Sequence, residues 1–301
     1  MKEFKNKVAV ITGGGGGFGR EFANIGARLG MKLVLADVEQ AALDKAAEEL
    51  KSAGAEVLAL KVDVSKAESV DALAAATVER FGVPSLVFNN AGVGHGGLVW
   101  EHTLADWSWV LGVNLWGVVH GVRVFTPMML DAANRDPSFE GHVVNTASMA
   151  GLLTAPNMGI YNVSKHAVVA LTETMYQDLK LVTDQISCSV LCPYFVPTGI
   201  HLSARNRPQE LASEGKPTAS QMIAHAMSDK AVTSGKVTAA QVAEKVFEAI
   251  AAREFYIYSH PHALGNVQSR MEAIINQKNP PDPFAARPEV GEKLRQQLRG
   301  K

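Results

Sequence analysis

The chain alternates between short apolar runs rich in β-branched residues and longer stretches whose apolar residues recur every three or four positions. Short apolar runs bounded by glycine or polar residues are typical of buried strands, and the longer spacing indicates amphipathic helices. Strands are predicted over 7–12, 31–36, 56–62, 85–88, 141–146, 186–191 and 254–258. Helices are predicted over 17–30, 40–53, 66–81, near 103–133, 158–181, 219–227 and 239–251, with a charged helix after the proline-rich stretch at 280.

Strands that alternate with helices through short connections indicate βαβ units, which place the strands side by side in a parallel sheet. We therefore predict an α/β fold of three layers, α/β/α, in which helices cover both faces of a doubly wound, seven-stranded parallel sheet. The chain shows no internal repeat and no clear linker, which favours one domain over 1–301. A polar stretch at about 200–236 and a C-terminal extension at about 260–301 stand outside the alternation.

Composition narrows the class of protein. The 301 residues are 47% hydrophobic and 20% charged, with a net charge of −1, which is ordinary for a globular protein and argues against nucleic acid or an anionic membrane as partner. No apolar run approaches the length of a membrane span, and the N-terminus lacks the core of a signal peptide. Cys188 and Cys192 are four positions apart in a predicted strand, about 13 Å, which is too far for a disulfide. We expect free thiols and a cytoplasmic protein.

The first strand leads into T-G-G-G-G-G-F-G at 12–19, and a helix follows. Glycines at a strand-to-helix turn let the backbone approach a pyrophosphate, which the free N–H groups of the helix then bind. Asp37 follows the second strand, about 20 positions on, where a carboxylate accepts hydrogen bonds from the adenosine ribose. A flexible tether could have the same glycines, but a predicted strand and a predicted helix would not flank it. The pattern predicts a Rossmann-type nucleotide site.

Asp37 would also repel the 2′-phosphate of NADP. No arginine or lysine stands at Gly14 or Val38, where such a phosphate could be held. The residues therefore favour NAD as the cofactor.

Later motifs occur in a fixed order. N-N-A-G closes the fourth strand at 89–92, Asn114 lies in G-V-N-L-W-G, and Ser148 precedes Y-x-x-x-K at 161–165 by thirteen positions. P-Y-F-V-P-T follows at 193–198. Together with T-G-x-x-x-G-x-G at 12–19, these motifs resemble the short-chain dehydrogenase/reductase family over residues 7 to about 200.

The resemblance implies a catalytic set and a cofactor set. The catalytic set is Asn114, Ser148, Tyr161 and Lys165. The cofactor set is Gly13, Gly17, Phe18, Gly19, Asp37, Asp63, Val64, Asn90, Tyr161, Lys165, Val196 and Thr198. The chain departs from the family at Tyr194, where a glycine is usual.

Tyr161 and Lys165 are four positions apart on a predicted helix and so share one face. A phenol with a pKa near 10 is a poor base, but a nearby ammonium and a positive nicotinamide ring would lower that pKa. Tyr161 would then take the alcohol proton. Ser148 would hold the substrate oxygen, and the resemblance implies that Asn114 holds a water that links Lys165 to solvent.

The substrate region is less determined. His95 follows N-N-A-G, in a loop that lies near the substrate in this family, and could contact a substrate oxygen or carboxylate, although an exposed loop histidine is an equal alternative. Met149 and Tyr194 would add apolar and aromatic surface, and Trp100 is the tryptophan expected in the pocket. These residues favour a hydrophobic or aromatic alcohol or ketone. His260 and His262 lack an acidic or thiol partner nearby, so no metal is expected.

The residues and the resemblance together predict an NAD-dependent oxidoreductase that interconverts a secondary alcohol and a ketone. A fatty-acyl or steroid ketone reductase remains an alternative, as does a nucleotide-sensing protein without catalytic activity. The family resemblance implies a homodimer or homotetramer built through the helices that carry Asn114 and Tyr161, and a substrate lid at about 200–236. The C-terminal extension resembles a larger-substrate subgroup that includes aryl-alcohol Cα-dehydrogenases.

Overall fold

A computed structural model describes residues 1–212 and 215–299. The centre is a seven-stranded sheet in the order β3-β2-β1-β4-β5-β6-β7, and every neighbouring pair is parallel. The strands are β1 Val8–Thr12, β2 Lys32–Asp37, β3 Val57–Lys61, β4 Leu86–Asn89, β5 Gly141–Thr146, β6 Ile186–Cys192 and β7 Tyr256–Tyr258. The predicted doubly wound α/β sheet is confirmed.

Helices connect the strands. They are α1 Gly17–Arg28, α2 Gln40–Ser52, α3 Ala67–Phe81, α4 Leu104–Leu111, α5 Gly117–Arg135, α6 Gly159–Val182, α7 Ala219–Thr233, α8 Ala239–Ala252, α9 Leu264–Ile275 and α10 Pro288–Arg299. Threonines begin three of them, because the hydroxyls of Thr103, Thr218 and Thr238 accept a backbone N–H three residues on, in capping boxes.

Both faces of the sheet are buried, because neighbouring residues of each strand point to opposite sides. Ile11 and Phe88 face an apolar cluster formed with α1, α2 and α8, in which the rings of Phe22 and Phe88 stack at 4.4 Å. Val10 and Val87 face the opposite cluster, formed with α3, α5 and α6. The central strands are therefore mostly apolar, as the sequence pattern requires of a sheet covered on both sides.

The chain reverses its winding direction between β1 and β4. Parallel sheets bind ligands at such a switch point, beyond the carboxyl ends of the strands. Thr12 fixes this edge: its hydroxyl donates to the Phe88 carbonyl at 3.1 Å and accepts the Asn90 N–H at 2.9 Å. The glycine-rich turn after β1 and the loop after β4 are thereby held side by side.

Several predicted boundaries differ from the structure. β7 begins at Tyr256 rather than 254, and α7 continues to Thr233 rather than 227. Helix α9 was not predicted, although its apolar positions Leu264, Val267 and Met271 have helical spacing. Both cysteines are buried free thiols, as expected. Within the described ranges, no helix is long and apolar enough to cross a membrane.

Candidate active site

The glycine-rich turn is built so that only glycine fits at two positions. Gly13 has a φ of 68°, and a side chain on it would begin 3.1 Å from the Ala91 Cα. A Cβ on Gly19 would lie 2.0 Å from the Gly13 carbonyl oxygen, so the first turn of α1 could not rest on the turn that precedes it. Gly16 caps α1 without a side chain, which leaves the helix N-terminus accessible to an anion.

The Asp37 carboxylate is fixed at the end of β2. Its Oδ2 accepts the Gly15 N–H at 2.9 Å, and its Oδ1 accepts the Glu39 N–H at 3.0 Å. The carboxylate thus stands beside the glycine-rich turn, where the ribose of an adenine nucleotide would reach it.

A groove of about 340 Å³ runs along the carboxyl edge of the sheet. Ten members of the predicted cofactor set line it: Gly13, Gly17, Phe18, Asp37, Asp63, Val64, Asn90, Tyr161, Lys165 and Thr198. The other two lie behind the wall: Gly19 is buried against Gly13, and Val196 is 3% exposed in the apolar cluster under α1. The glycine cradle, the open helix N-terminus and the fixed carboxylate fit a dinucleotide.

Helix α6 carries Tyr161 and Lys165 into the groove. Lys165 is 2% exposed, its Nζ donates to the Thr146 carbonyl at 2.9 Å, and it lies 5.7 Å from the centre of the Tyr161 ring. Burial lowers the pKa of Lys165 to about 8. Burial also raises the pKa of Tyr161 to about 12, and hydrogen bonding with Ser148 opposes that rise. The predicted lowering of the Tyr161 pKa depends on the oxidised nicotinamide ring as well as on Lys165, and it stays a prediction.

Ser148 lies at the end of β5, close to Tyr161. It caps the short 3₁₀ turn Met149–Gly151: its Oγ accepts the Ala150 N–H at 3.1 Å and donates to the Pro193 carbonyl at 3.3 Å. The hydroxyl is thus held by backbone groups of two loops beside the phenol.

Asn114 lies in a π-helical turn, Gly112–Trp116, between α4 and α5. Its side chain is fully buried, accepts the Val93 N–H at 2.8 Å, and donates to the Val93 carbonyl at 3.0 Å and the Ser164 hydroxyl at 3.1 Å. The turn therefore ties α5 to the loop after β4 and to α6.

The predicted substrate residues are placed differently from expectation. Met149 is 1% exposed and packs in the core with Val168 and Val190, because the 3₁₀ turn after Ser148 directs it inward; as a pocket wall it was wrong. Tyr194 is 40% exposed and packs on the Phe195 and His260 rings, outside the groove wall.

The prediction that Trp100 lies in the pocket was also wrong. Trp100 is 77% exposed on the surface, whereas Trp109 is 2% exposed and lines the groove. Trp116 is 53% exposed, which excludes it from the core but not from an interface.

His95 is mostly buried, with 18% of its side chain exposed, in a cluster that also contains His102, Asp106 and Arg207. Burial lowers the pKa of His95 to about 4. Because most of the side chain is buried, His95 is not the exposed loop histidine that was the alternative.

Sequence reasoning missed a cation on the groove. Arg205 lines it and forms an ion pair with Glu39 at 2.7 Å, and Asn206 donates to the same carboxylate oxygen at 2.8 Å. No local sequence signal connects these residues, because 166 positions separate Glu39 from Arg205.

Known proteins resemble the chain over nearly its whole length. The family model described as short chain dehydrogenase matches residues 7–209. A short-chain dehydrogenase/reductase from Burkholderia phymatum, solved in complex with NAD, is 55% identical; the match covers 95% of this chain and all of that one, with a TM-score of 0.92.

Two curated relatives are more distant. The CLA biosynthesis dehydrogenase/reductase of Lactiplantibacillus plantarum is 33% identical over 93% of this chain and 97% of its own length. The C alpha-dehydrogenase of a Sphingobium species is 32% identical over 96% of this chain and 93% of its own length. The chain therefore belongs to the short-chain dehydrogenase/reductase family.

Proposed function

We propose that this oxidoreductase interconverts a secondary alcohol and a ketone with NAD. The observation that carries the proposal is that Tyr161 and Lys165 line the same groove as the glycine cradle and Asp37, with Ser148 hydrogen-bonded to Tyr161 behind the wall. A hydroxyl pair that can hold and protonate an oxygen, beside a dinucleotide site, suits hydride transfer at a carbinol carbon.

NAD supplies the hydride acceptor and, in its oxidised form, a positive ring. Ser148 holds the substrate oxygen, and Tyr161 takes the hydroxyl proton during oxidation or returns it during reduction. Because burial raises the pKa of Tyr161, we infer that Lys165 and the oxidised ring together must favour the phenolate. Asn114 positions the backbone around Val93 and, as we propose, a water through which Lys165 exchanges protons.

The substrate we propose is hydrophobic or aromatic. Trp109, Val113 and Leu211 give the groove an apolar wall beyond Tyr161. The C alpha-dehydrogenase relative is named for a dehydrogenation at a carbon atom, which is the reaction type proposed here. Its match covers 96% of this chain and so includes most of the C-terminal extension. A fatty-acyl or steroid ketone reductase uses the same chemistry, and a panel of aryl, acyl and steroidal alcohols separates these substrates.

The decisive experiment compares the protein with Tyr161→Phe, which keeps the ring and removes the proton carrier. NADH formation is followed on the panel, and NADH binding is followed by fluorescence. We expect turnover by the parent protein, a loss of at least about 100-fold in the variant, and a much smaller change in NADH affinity. Nucleotide binding by both proteins with no turnover by either would contradict the proposal and favour the nucleotide sensor.

The organisation of the molecule is also a proposal. We propose one domain with a lid segment, 200–236, and a homodimer or homotetramer built through α5 and α6. Exposed apolar side chains on or next to these helices support an interface: Trp116 (53% exposed), Val163 (47%), Leu181 (83%) and Val182 (66%). Light scattering after size-exclusion chromatography tests it, and a monomer at micromolar concentration would contradict it.

A further inference from the structure

A cluster of polar nitrogens without partners lies beside the groove. In the described part of the chain, 14 buried side-chain nitrogen and oxygen atoms lack a hydrogen-bond partner, and five of them lie in this cluster. They are both ring nitrogens of His102, Nε1 of Trp109, Nη2 of Arg207, and Nε2 of His95, which has only the Asp106 carboxylate oxygen 3.4 Å away. Buried polar groups are nearly always paired in native proteins, so this concentration calls for an occupant.

Three separate segments bring the cluster together. His95 comes from the loop after β4, Trp109 from α4 and Arg207 from the lid segment. The His95 ring lies 5.9 Å from the Trp109 ring and 5.2 Å from the His102 ring, and the Arg207 guanidinium lies 5.1 Å from the Trp109 ring.

The cluster adjoins the groove that holds Tyr161. Trp109 is a wall of that groove, and Arg207 stands between Asn206 and Pro208, which both line it. Trp109 is therefore shared by the groove and the cluster, and a ligand in the groove that reaches Trp109 lies next to the Arg207 guanidinium.

A metal ion is one candidate occupant. His95, His102 and Asp106 offer ligand atoms within 4.8 Å of one another. However, Arg207 donates to Asp106 Oδ1 at 2.6 Å, and Oδ2 accepts the Thr103 N–H at 2.8 Å. A divalent cation would displace or face a guanidinium whose side chain is only 10% exposed. Charge repulsion in so buried a place disfavours a metal.

The unpartnered atoms indicate the opposite chemistry. The indole nitrogen and the guanidinium can only donate hydrogen bonds, so their occupant must accept them. Arg207 keeps its charge, and Asp106 is already committed to Arg207 and to the turn that begins α4. A group that carries its own negative charge gains most from such donors.

Resting on the proposed alcohol–ketone activity, we propose that the preferred substrates carry a carboxylate, which Arg207 and Trp109 bind while the carbinol carbon lies at Tyr161. His95 and His102 lie beside these two donors, with the His95 ring 5.9 Å from the Trp109 ring and 5.2 Å from the His102 ring. The site thus selects substrates with an acid group at a fixed reach from the reacting carbon.

The test uses pairs of secondary alcohols, aliphatic and aryl and of increasing length, each as the free carboxylate and as its methyl ester. We expect the carboxylate of the best-fitting pair to exceed its ester in kcat/KM by about tenfold or more. The excess should lie mainly in KM, since the carboxylate is far from the bond that changes. An equal or higher value for the ester throughout the series would overturn the inference.

Trp109→Phe keeps a benzene ring and removes the indole donor together with the five-membered ring that carries it, so the ratio of acid to ester should fall about three- to tenfold. Arg207→Gln should make the kcat/KM values of acid and ester equal. Trp107→Phe, two positions away in the same helix, is the matched control and should leave the ratio unchanged. If neither Trp109→Phe nor Arg207→Gln changes the ratio of acid to ester, the inference is also overturned.

Binding of the acids to NADH-loaded Tyr161→Phe protein, measured by calorimetry, separates this inference from the proposed activity. Tight binding of the acid but not of the ester, with no turnover by the parent protein, would contradict the proposed activity and support the carboxylate site. Equal turnover of esters and acids would support the activity and contradict the carboxylate site. Stoichiometric Zn²⁺ binding that His102→Gln removes would identify the cluster as a metal site and overturn the inference.

Discussion

At the scale of single residues, the close approach of Gly19 to Gly13 decides whether the nucleotide turn can form. We predict that Gly19→Ala, whose methyl group would lie 2.0 Å from a carbonyl oxygen, forces the turn apart. NADH affinity should fall strongly, and the free energy of unfolding should fall by about 1–3 kcal/mol or more, the range of overpacked sites. Fluorescence titration and urea unfolding measure the two effects.

The matched control is Gly16→Ala in the same turn, since a methyl group there meets no atom within 4 Å. It should fold normally and lose much less affinity. Equal losses in both variants would mean that glycine is needed for flexibility rather than for space.

Cofactor choice is also decided by single residues. We predict that Asp37→Ala weakens the binding of NAD and narrows the preference for NAD over NADP. The variant loses the carboxylate that the backbone of Gly15 and Glu39 fixes at the ribose position. Steady-state kinetics with both cofactors measures this. A parent protein that prefers NADP by about tenfold, about 1.4 kcal/mol, would contradict the role given to Asp37.

At the scale of secondary-structure elements, the pairing of β5 with β6 encloses a histidine. His142 is completely buried, and its Nε2 lies 2.8 Å from the Ser189 hydroxyl of β6. Burial, aided by the positive charges of the N-terminus and Arg253, lowers the pKa of His142 to about 3. The sheet therefore accepts this ring only in its neutral form.

We predict that acid destabilises the protein through His142. Above pH 6.5 neither the folded nor the unfolded state protonates this ring, so its contribution is complete. As the pH falls below 6.5, the unfolded chain takes up a proton that the folded protein excludes. At pH 5 the loss is about 2 kcal/mol, from about 1.4 kcal/mol per pH unit.

Urea unfolding between pH 7.5 and pH 5 measures that loss. His142→Gln should flatten the dependence on pH, whatever its stability at pH 7.5, whereas the exposed His225→Gln should not. An unchanged slope in His142→Gln would assign the acid sensitivity to another group, of which the buried His95 is the first candidate.

At the scale of the whole molecule, an ion pair joins the lid segment to the sheet edge across the groove. Glu39 lies beside Asp37, and Arg205 and Asn206 bind its carboxylate from the lid segment. We predict that Arg205→Gln speeds NADH release by about two- to fivefold, the range expected of partly exposed pairs worth up to about 1 kcal/mol.

Stopped-flow fluorescence measures the release rate, and the effect should shrink at high salt. Arg28→Gln removes an exposed ion pair with Glu244 away from the groove and serves as the control. Release that is unchanged in Arg205→Gln would show that the pair does not retain the nucleotide.

Local pattern predicted most of the fold, because strand and helix periodicity are properties of neighbouring residues. Of the twelve cofactor residues that the resemblance implied, ten line the groove. Local pattern failed where distant segments meet. The Glu39–Arg205 pair and the cluster of His95, Asp106 and Arg207 depend on how the lid segment lies on the sheet. Trp100 lies before α4, in the 3₁₀ turn Val99–Glu101, and is exposed, whereas Trp109 is a buried residue of α4.

The place of β1 has a consequence for synthesis. This strand is synthesised well before β4, yet it lies in the interior of the sheet, where Ala9 pairs with Leu86 on one side and Leu33 on the other. Until Leu86 has emerged from the ribosome, the nascent chain carries an apolar strand with one open hydrogen-bonding edge, a template for association with other chains. A fragment that stops short of β4 should therefore aggregate, and the growing chain should depend on chaperones most before β4 has been synthesised.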